Sequence, residues 1–452
     1  MCEGPLFKKM LFYTVPIILA SVLQLLFNAA DLVVVGRFCG SISVAAVGGT
    51  GAIINLTVSL FVGLSMGAGV VVAQSIGARS KAAVQDAVHT AIPLAAVGGV
   101  ILTFVGVFGA RTFLRLMGTP NDVIALSTTY MRIYFCGVIS LMLYNFGSAI
   151  LRAVGDTKSP LIYLTAAGIL NVILNIIFVK YFNLNVAGVA LATTISQTLS
   201  AAMVIINLLR RTDDCRLSLK KLRFTAKTVS RILRIGLPSG IQSAMFSVSN
   251  VLIQSSINSL GSVVMSGSAA SSNIEGFIFI SMNAYHQTSV NFVGQNVGAR
   301  RFDRVKRITW LSVLMVSVTG VVLSTLTLIF AKPLLSIYIV DSNDAINYGI
   351  TRLGIFAAVY FTCGIMDVLT GAMRGMGAST VPMLISVFGV CGIRILWIYT
   401  AFRANHTLEC ICYSYPISWI ITVAVDFAAF FLIKRRLQKR LNYLDTAEHV
   451  LE

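Results

Sequence analysis

The chain has 452 residues, with 35 lysines and arginines against 17 aspartates and glutamates, a formal net charge of +18. Apolar residues make up 56% of it, charged residues only 12%, and the mean hydropathy is +0.84, whereas an ordinary soluble domain holds about 25% charged residues. So few charges cannot cover so much apolar surface in water, which excludes disordered, disulfide-rich secreted and ordinary cytosolic classes and leaves a polytopic membrane protein.

A spanning helix needs about 20 mostly apolar residues. Taken in chain order, such runs fall near 14–36, 46–72, 89–110, 128–150, 160–182, 186–209, 236–258, 266–293, 309–330, 349–372, 381–402 and 411–433. They lack the period-two alternation of barrel strands, so the expectation is an all-α membrane protein of twelve transmembrane helices. Lys8 and Lys9 precede a first run long enough to remain in the bilayer, and no cleavable signal peptide is evident. With the N-terminus placed in the cytoplasm, 26 bases fall in segments on that side and six on the other, while Arg132, Arg352 and Arg394 lie within helices. This is the positive-inside pattern of a cell-membrane protein with both termini cytoplasmic, and it accounts for the basic charge without nucleic acid.

The longest polar stretch, Arg210 to Arg231, divides the chain nearly in half. The expected organisation is an N-terminal six-helix bundle over 1–209, a basic cytoplasmic linker over 210–235 lying along anionic headgroups, a C-terminal six-helix bundle over 236–436 and a cytoplasmic tail over 437–452. The halves repeat one another. When the second is laid over the first, QSIGAR (74–79) falls on QNVGAR (295–300), Gly40-Ser41 on Gly261-Ser262, and Asn121-Asp122 on Asn343-Asp344. Likewise Arg152, Gly155 and Pro160 fall on Arg374, Gly377 and Pro382, Pro16 on Pro238, and Asn28 on Asn250. Six helices per repeat put both copies in the membrane in one direction. The bundles are then related by a pseudo-twofold axis along the membrane normal, with a central cleft that can open to either side, as in a transporter.

Polar groups inside the membrane are costly and mark pathways. The first helix carries Gln24, Asn28 and Asp31 as one stripe. The fifth carries Asn171 and Asn175, the sixth Thr193, Thr194 and Gln197. If these stripes face one another, one carboxylate sits among amide and hydroxyl oxygens, a set suited to a hard cation such as Na⁺. The same carboxylate, removed from water, could instead carry a proton. The plainer alternatives are an Asp31–Arg37 ion pair or helix-end cap, and interhelical hydrogen bonding by the two asparagines. In the second half Ser243, Ser247, Asn250 and Gln254 form a stripe resembling a water-lined wall. Glu275 and Asp367 are candidates for a second coupling or substrate-contact carboxylate, or for local salt bridges. Asp426, with Lys434 two turns on, and His286 read as structural. The eight scattered cysteines show no metal-binding spacing. No phosphate loop, nucleophile elbow or dinucleotide fingerprint appears, so no catalytic residue is assigned and coupling to an ion gradient is the economical expectation.

DLVVVGRFCG (31–40), VVAQSIGAR (71–79), LRAVGDTKSP (151–160), NVILNIIFV (171–179), GVALATTIS (188–196), VGQNVGAR (293–300), MRGMGASTVP (373–382) and YPISWI (415–420) stand in one order on two repeats. In this the chain resembles the multidrug and toxic compound extrusion (MATE) family, of prokaryotic type, over about residues 10–436. The resemblance implies a monomer with two bundles in a V, exporting amphipathic organic cations by Na⁺ or H⁺ antiport with no cofactor besides the coupling ion. It implies a cation or proton site at Asp31, Asn171, Asn175 and Thr193, which would also hold any Na⁺. The resemblance also puts Gln24 on the substrate cavity; the polar stripes and intramembrane acids themselves add Asn28, Gln197, Ser247, Asn250, Gln254, Glu275 and Asp367 as candidates for it. The family commonly has Asp where Asn175 stands, and some branches carry a seventh-helix carboxylate that this stripe lacks. The alternatives weighed are a lipid-linked oligosaccharide or peptidoglycan-precursor flippase of the same superfamily, for which intramembrane arginines are few, and a membrane-embedded enzyme or receptor.

Overall fold

A backbone in hydrocarbon has no water to satisfy its N–H and C=O groups, so each crossing segment must bond internally as a helix. The computed structural model, which describes residues 1–339 and 342–451, is accordingly helical, with no β-strand among the described residues. In chain order come α1 (Leu6–Phe38), α2 (Ser41–Gly77), α3 (Lys81–Leu116), α4 (Asn121–Cys136), α5 (Val138–Val154), α6 (Lys158–Ile176) and α7 (Asn185–Arg210). The second half holds α8 (Ala226–Asn258), α9 (Ser262–Gly298), α10 (Phe302–Ile329), the short α11 (Ala331–Tyr338), α12 (Asn343–Ala357) and α13 (Tyr360–Gly375). It closes with α14 (Thr380–Ser386), α15 (Ile393–Trp397) and α16 (Leu408–Leu451).

Among the described residues nine helical stretches are by themselves long and apolar enough to cross a membrane. Two bent pairs, α4–α5 at 46° and α12–α13 at 49°, bring the number to eleven. The twelfth crossing, α8, is 33 residues long but carries the serine and amide stripe, which holds down its hydropathy. Large apolar side chains such as Phe108 (74% exposed), Leu116 (79%) and Ile337 (73%) point outward, as they do on a surface facing lipid rather than water.

The repeat seen in the sequence returns as matched backbone geometry. Gly40 and its counterpart Gly261 both hold the positive φ (83° and 100°) that lets the chain turn sharply into α2 and α9. Arg79 and Arg300 both follow the end of a helix with positive φ (54° and 58°). α6 loosens into a π-helical turn at Ile177–Tyr181, and its counterpart loosens at Ile398–Phe402. Each half also breaks one crossing at the same point, after Cys136 and after Ala357.

The helices divide into two compact units, Val15–Gly240 and Met1–Thr14 together with Ile241–Glu452. In the first, α2 meets the opening of α8 through two small-xxx-small motifs, Gly63/Gly67 and Gly236/Gly240. A Cβ on Gly63 would lie 2.4 Å from the Gly240 nitrogen, and one on Gly236 would lie 2.5 Å from the Leu64 Cα. The two backbones therefore touch. In the second unit the opening of α1 lies on α9: Thr14 Oγ1 and Thr288 Oγ1 are 2.7 Å apart, and Tyr13 meets Phe292 edge-on.

The polar stretch between α7 and α8 occupies 211–225, because the residues from Ala226 on form the first turns of α8. It is fastened to α3 rather than free. Arg223 and Thr225 donate to Asp86 Oδ1 at 2.7 and 2.8 Å, and the Ser218 N–H donates to His89 Nε2 at 3.0 Å. Within it the Arg211 guanidinium holds the Asp213 carboxyl below its usual range, and burial pushes the Cys215 thiol up to about 12. The tail at 437–451 continues α16 without a break.

Because α2 and α8 meet backbone to backbone, Gly236→Val should destabilise the protein by about 1–3 kcal/mol through overpacking. The exposed Gly48→Ala, inside α2 where an added Cβ meets nothing within 4 Å, should by contrast hold or raise the unfolding temperature of the detergent-solubilised protein, because alanine is the better helix former.

Candidate functional site

Three helices of the first unit bring the predicted residues together. α1 presents Gln24, Asn28 and Asp31 from one face, α6 presents Asn171 and Asn175 four residues apart, and α7 presents Thr193 and Gln197, also four apart. All except Asn175 line one cavity of about 110 Å³. Asn175 is fully buried behind it, bonded directly to Asp31.

The hydrogen bonds form a directed chain. Asn175 spends both amide protons, donating Nδ2 to Asp31 Oδ1 at 2.5 Å and to Asn171 Oδ1 at 3.2 Å. Asn171 Nδ2 donates to Thr193 Oγ1 at 3.3 Å, and Thr193 donates to the Val189 carbonyl at 2.9 Å. Asp31 is thus tied through two amides and a hydroxyl to the backbone of α7. Arg37 forms no ion pair with it among the described residues.

This network leaves oxygens over. Asn175 Oδ1, Ser196 Oγ and Gln197 Oε1 are buried without a hydrogen-bond partner, whereas roughly 90% or more of buried polar groups have one. One carboxylate, with partnerless neutral oxygens of Ser196 and Gln197 in the wall and of Asn175 behind it, can take a hard monovalent cation, or water carrying protons to those oxygens, while Phe27, Leu141 and Leu164 make much of the remaining wall apolar. Ser196 and Ser200 also line the cavity, and sequence reasoning passed over them. Their spacing from Thr193 and Gln197 places all four on one face of α7, which was the available signal. Tyr144 of α5, another lining residue, donates to the Pro160 carbonyl at 3.3 Å. It carried no sequence signal, since a lone tyrosine on an apolar helix has no pattern.

The candidates of the second half lie in the second unit and are not part of this lining. Ser247 donates to the Ser243 carbonyl at 3.1 Å, Gln254 donates to Asn258 Oδ1 at 2.9 Å, and Asn250 is exposed on the same helix. Glu275 is not open to a cavity. It is 5% exposed and held by Arg352 in a bidentate pair, Nε to Oε1 and Nη2 to Oε2 both at 2.9 Å. Arg352 also donates to Ser268 Oγ at 2.6 Å and stacks on Phe356. This is the geometry of the salt-bridge alternative, made by partners on separate helices, α9 and α12.

Asp367 accepts from His286 Nδ1 through its backbone oxygen at 2.7 Å, while its carboxylate Oδ2 is buried and partnerless. Asp426 is fully buried with neither oxygen bonded, within electrostatic reach of Asp367 and Arg374, and it makes no ion pair with Lys434 among the described residues. His286 is packed as expected of a core residue, with Nε2 3.3 Å from Arg374 Nη1.

The MatE family model matches residues 16–177 and again 238–400, one copy in each half. "Probable multidrug resistance protein YoeA" of Bacillus subtilis is 24% identical over 442 residues, covering 95% of both chains. Multidrug export protein MepA of Staphylococcus saprophyticus is 22% identical over 399 residues, covering 88% of both. A solved outward-facing multidrug resistance MATE family transporter of the MOP superfamily superposes with a TM-score of 0.90 over 97% of this chain and 98% of the other, at 20% identity. A MOP superfamily transporter from Pyrococcus furiosus gives the same values. At that identity the superpositions establish the fold.

Arg352→Met, which strands the Glu275 charge, should cost about 3–5 kcal/mol of stability. The double variant E275L/R352M should recover most of that loss. Thermal unfolding of the purified variants checks both, and an additive double variant would show that the pair is not coupled.

Proposed function

The chain belongs to the MatE family of multi-pass membrane transporters, and from that premise we propose that it exports amphipathic organic cations across the cell membrane in exchange for H⁺ or Na⁺. The observation that carries this reading is Asp31: a carboxylate held by an amide N–H on the wall of a cavity that Ser196 and Gln197, whose oxygens lack partners, also line. The names of the relatives, multidrug resistance and multidrug export proteins, support the substrate class.

Mutual exclusion follows from charge. One buried carboxylate is neutralised by one positive species, so an organic cation and the coupling ion compete for it, and exchange is the outcome when the cavity opens to alternate sides. Na⁺ would be held by Asp31 with the oxygens of Asn171, Asn175 and Thr193; a proton would sit on Asp31 itself. Either event removes the charge that Asn175 donates to, and the change passes along Asn171 and Thr193 to α7. Asn175 leaves the site with a single formal charge where the family's usual aspartate would give two, so it favours one monovalent ion at a time. The distribution of bases supports a cytoplasmic location for both termini.

The flippase alternative needs cationic groups for a pyrophosphate, and the intramembrane arginines are engaged elsewhere. Arg132 donates to the Val107 carbonyl, Arg352 pairs with Glu275, and Arg394 donates to Ser418 and stacks over Tyr415. None of them lines the Asp31 cavity.

Efflux of a cationic dye from reconstituted vesicles under separate pH and Na⁺ gradients tests the proposal. Asp31→Asn should slow export by about tenfold or more, the loss of roughly 1.4 kcal/mol or more of differential binding, and should abolish the gradient dependence. Full gradient dependence in that variant would overturn the reading, and loss of dye movement under both gradients in the unaltered protein would favour a flippase. Asn175→Asp adds a second charge and should tighten apparent Na⁺ affinity by about tenfold, read from the Na⁺ dependence of the same efflux.

A further inference from the structure

Where the second unit leaves the apolar zone, two basic segments converge. α10 opens on RFDRVKR (301–307) before its apolar run begins at Ile308, and α16 passes from its apolar run into KRRLQKR at 434–440. They meet around a cavity of about 470 Å³ lined by Arg300, Arg301, Asp303, Arg304, Arg307 and Gln438. Four arginines and one aspartate thus line one concave space. Lys306, in the middle of the same stretch, is not part of the lining.

Two of the arginines are held in place by the chain's own beginning. Arg301 Nη1 donates to the Cys2 carbonyl at 2.7 Å and Arg304 Nη2 to the Gly4 carbonyl at 2.8 Å. Arg304 Nε is buried beside them with no hydrogen-bond partner. A bias of bases toward one membrane side explains why cations are present here. It does not explain why arginine rather than the neighbouring lysine lines the cavity, or why backbone carbonyls fix two of the arginines. Four arginines against one carboxylate leave an excess of positive charge that attracts an anion, and the planar donor fork of arginine matches phosphate oxygens in pairs. The cavity lies at the ends of two apolar helical runs, the level of lipid headgroups, where phosphate is supplied by the bilayer itself.

We infer that this cavity is a binding site for the phosphate of an anionic phospholipid headgroup. The inference is independent of the Asp31 site and of what the protein transports.

The full-length protein, purified and placed in nanodiscs of phosphatidylcholine with increasing phosphatidylglycerol, provides the test, read as lipid retained in native mass spectrometry. Saturable retention of phosphatidylglycerol over phosphatidylcholine is expected. R300Q/R307Q changes two exposed arginines and should reduce apparent affinity by about tenfold while keeping the unfolding temperature measured in pure phosphatidylcholine. Gln438→Glu, which places a second carboxylate in the lining from the other helix, should act in the same direction. K220Q/K221Q, which removes bases from the 211–225 segment, should leave retention as it was. Equal retention in all variants would overturn the site, as would equal retention of the two lipids. Saturation by millimolar inorganic phosphate with no preference for phosphatidylglycerol would overturn the lipid as its source.

Discussion

A carboxylate placed in hydrocarbon must be given a partner or lose its charge, because desolvating it alone costs several kcal/mol. The fold answers that constraint in three ways. Glu275 is given a full complement: a bidentate guanidinium, with Ser268 bonding the remaining arm of that guanidinium and Phe356 beneath it. Such a pair is settled and has nothing left to bind. Asp31 is given one amide donor and a cavity. Asp426 is given no hydrogen bond, only the proximity of Arg374 and Asp367. Of these three acids, Asp31 combines an incomplete set of partners with a place on a cavity wall.

Much of the fold was legible because membrane helices declare themselves by length and apolarity, and because a repeat doubles every signal. Laying one half over the other marked equivalent helix ends in the sequence alone, and the same alignment relates the π-helical turn at Ile177–Tyr181 to that at Ile398–Phe402, and one broken crossing to the other. The breaks themselves were not legible. Gly137 marks the first, packed against Thr194, but Ala358-Val359 at the second has no glycine or proline, so the 49° bend there is imposed by packing and not by local chemistry. The start of α8 was also read too late, since its first turns are as basic as a linker. The facing glycine pairs of α2 and α8 are remote from one another in sequence, and periodicity within either helix could not show that they touch.

The candidate site was legible for a related reason. Gln24, Asn28 and Asp31, Asn171 and Asn175, and Thr193 and Gln197 each form a stripe at helical spacing on an apolar background, and in a membrane such stripes must find one another. The stripe on α8 shows the limit of the argument: Ser247 and Gln254 satisfy themselves on their own helix. The pairing of Glu275 with Arg352 lay beyond reach, because a salt bridge between helices leaves no local trace at either residue.

The sharing of α1 between the two units has a consequence for how the molecule is made. Its opening turns, Met1–Thr14, belong with Ile241–Glu452, and their partners include Thr288, Phe292, Arg301 and Arg304. Met1–Thr14 therefore has no docking place until α9 and the start of α10 have been synthesised. The rest of α1 settles much earlier, among the helices that end at Gly240. Biogenesis must keep one end of a single helix waiting while its other end is already home, and closure of the second unit onto those waiting turns is the last act of folding rather than the first.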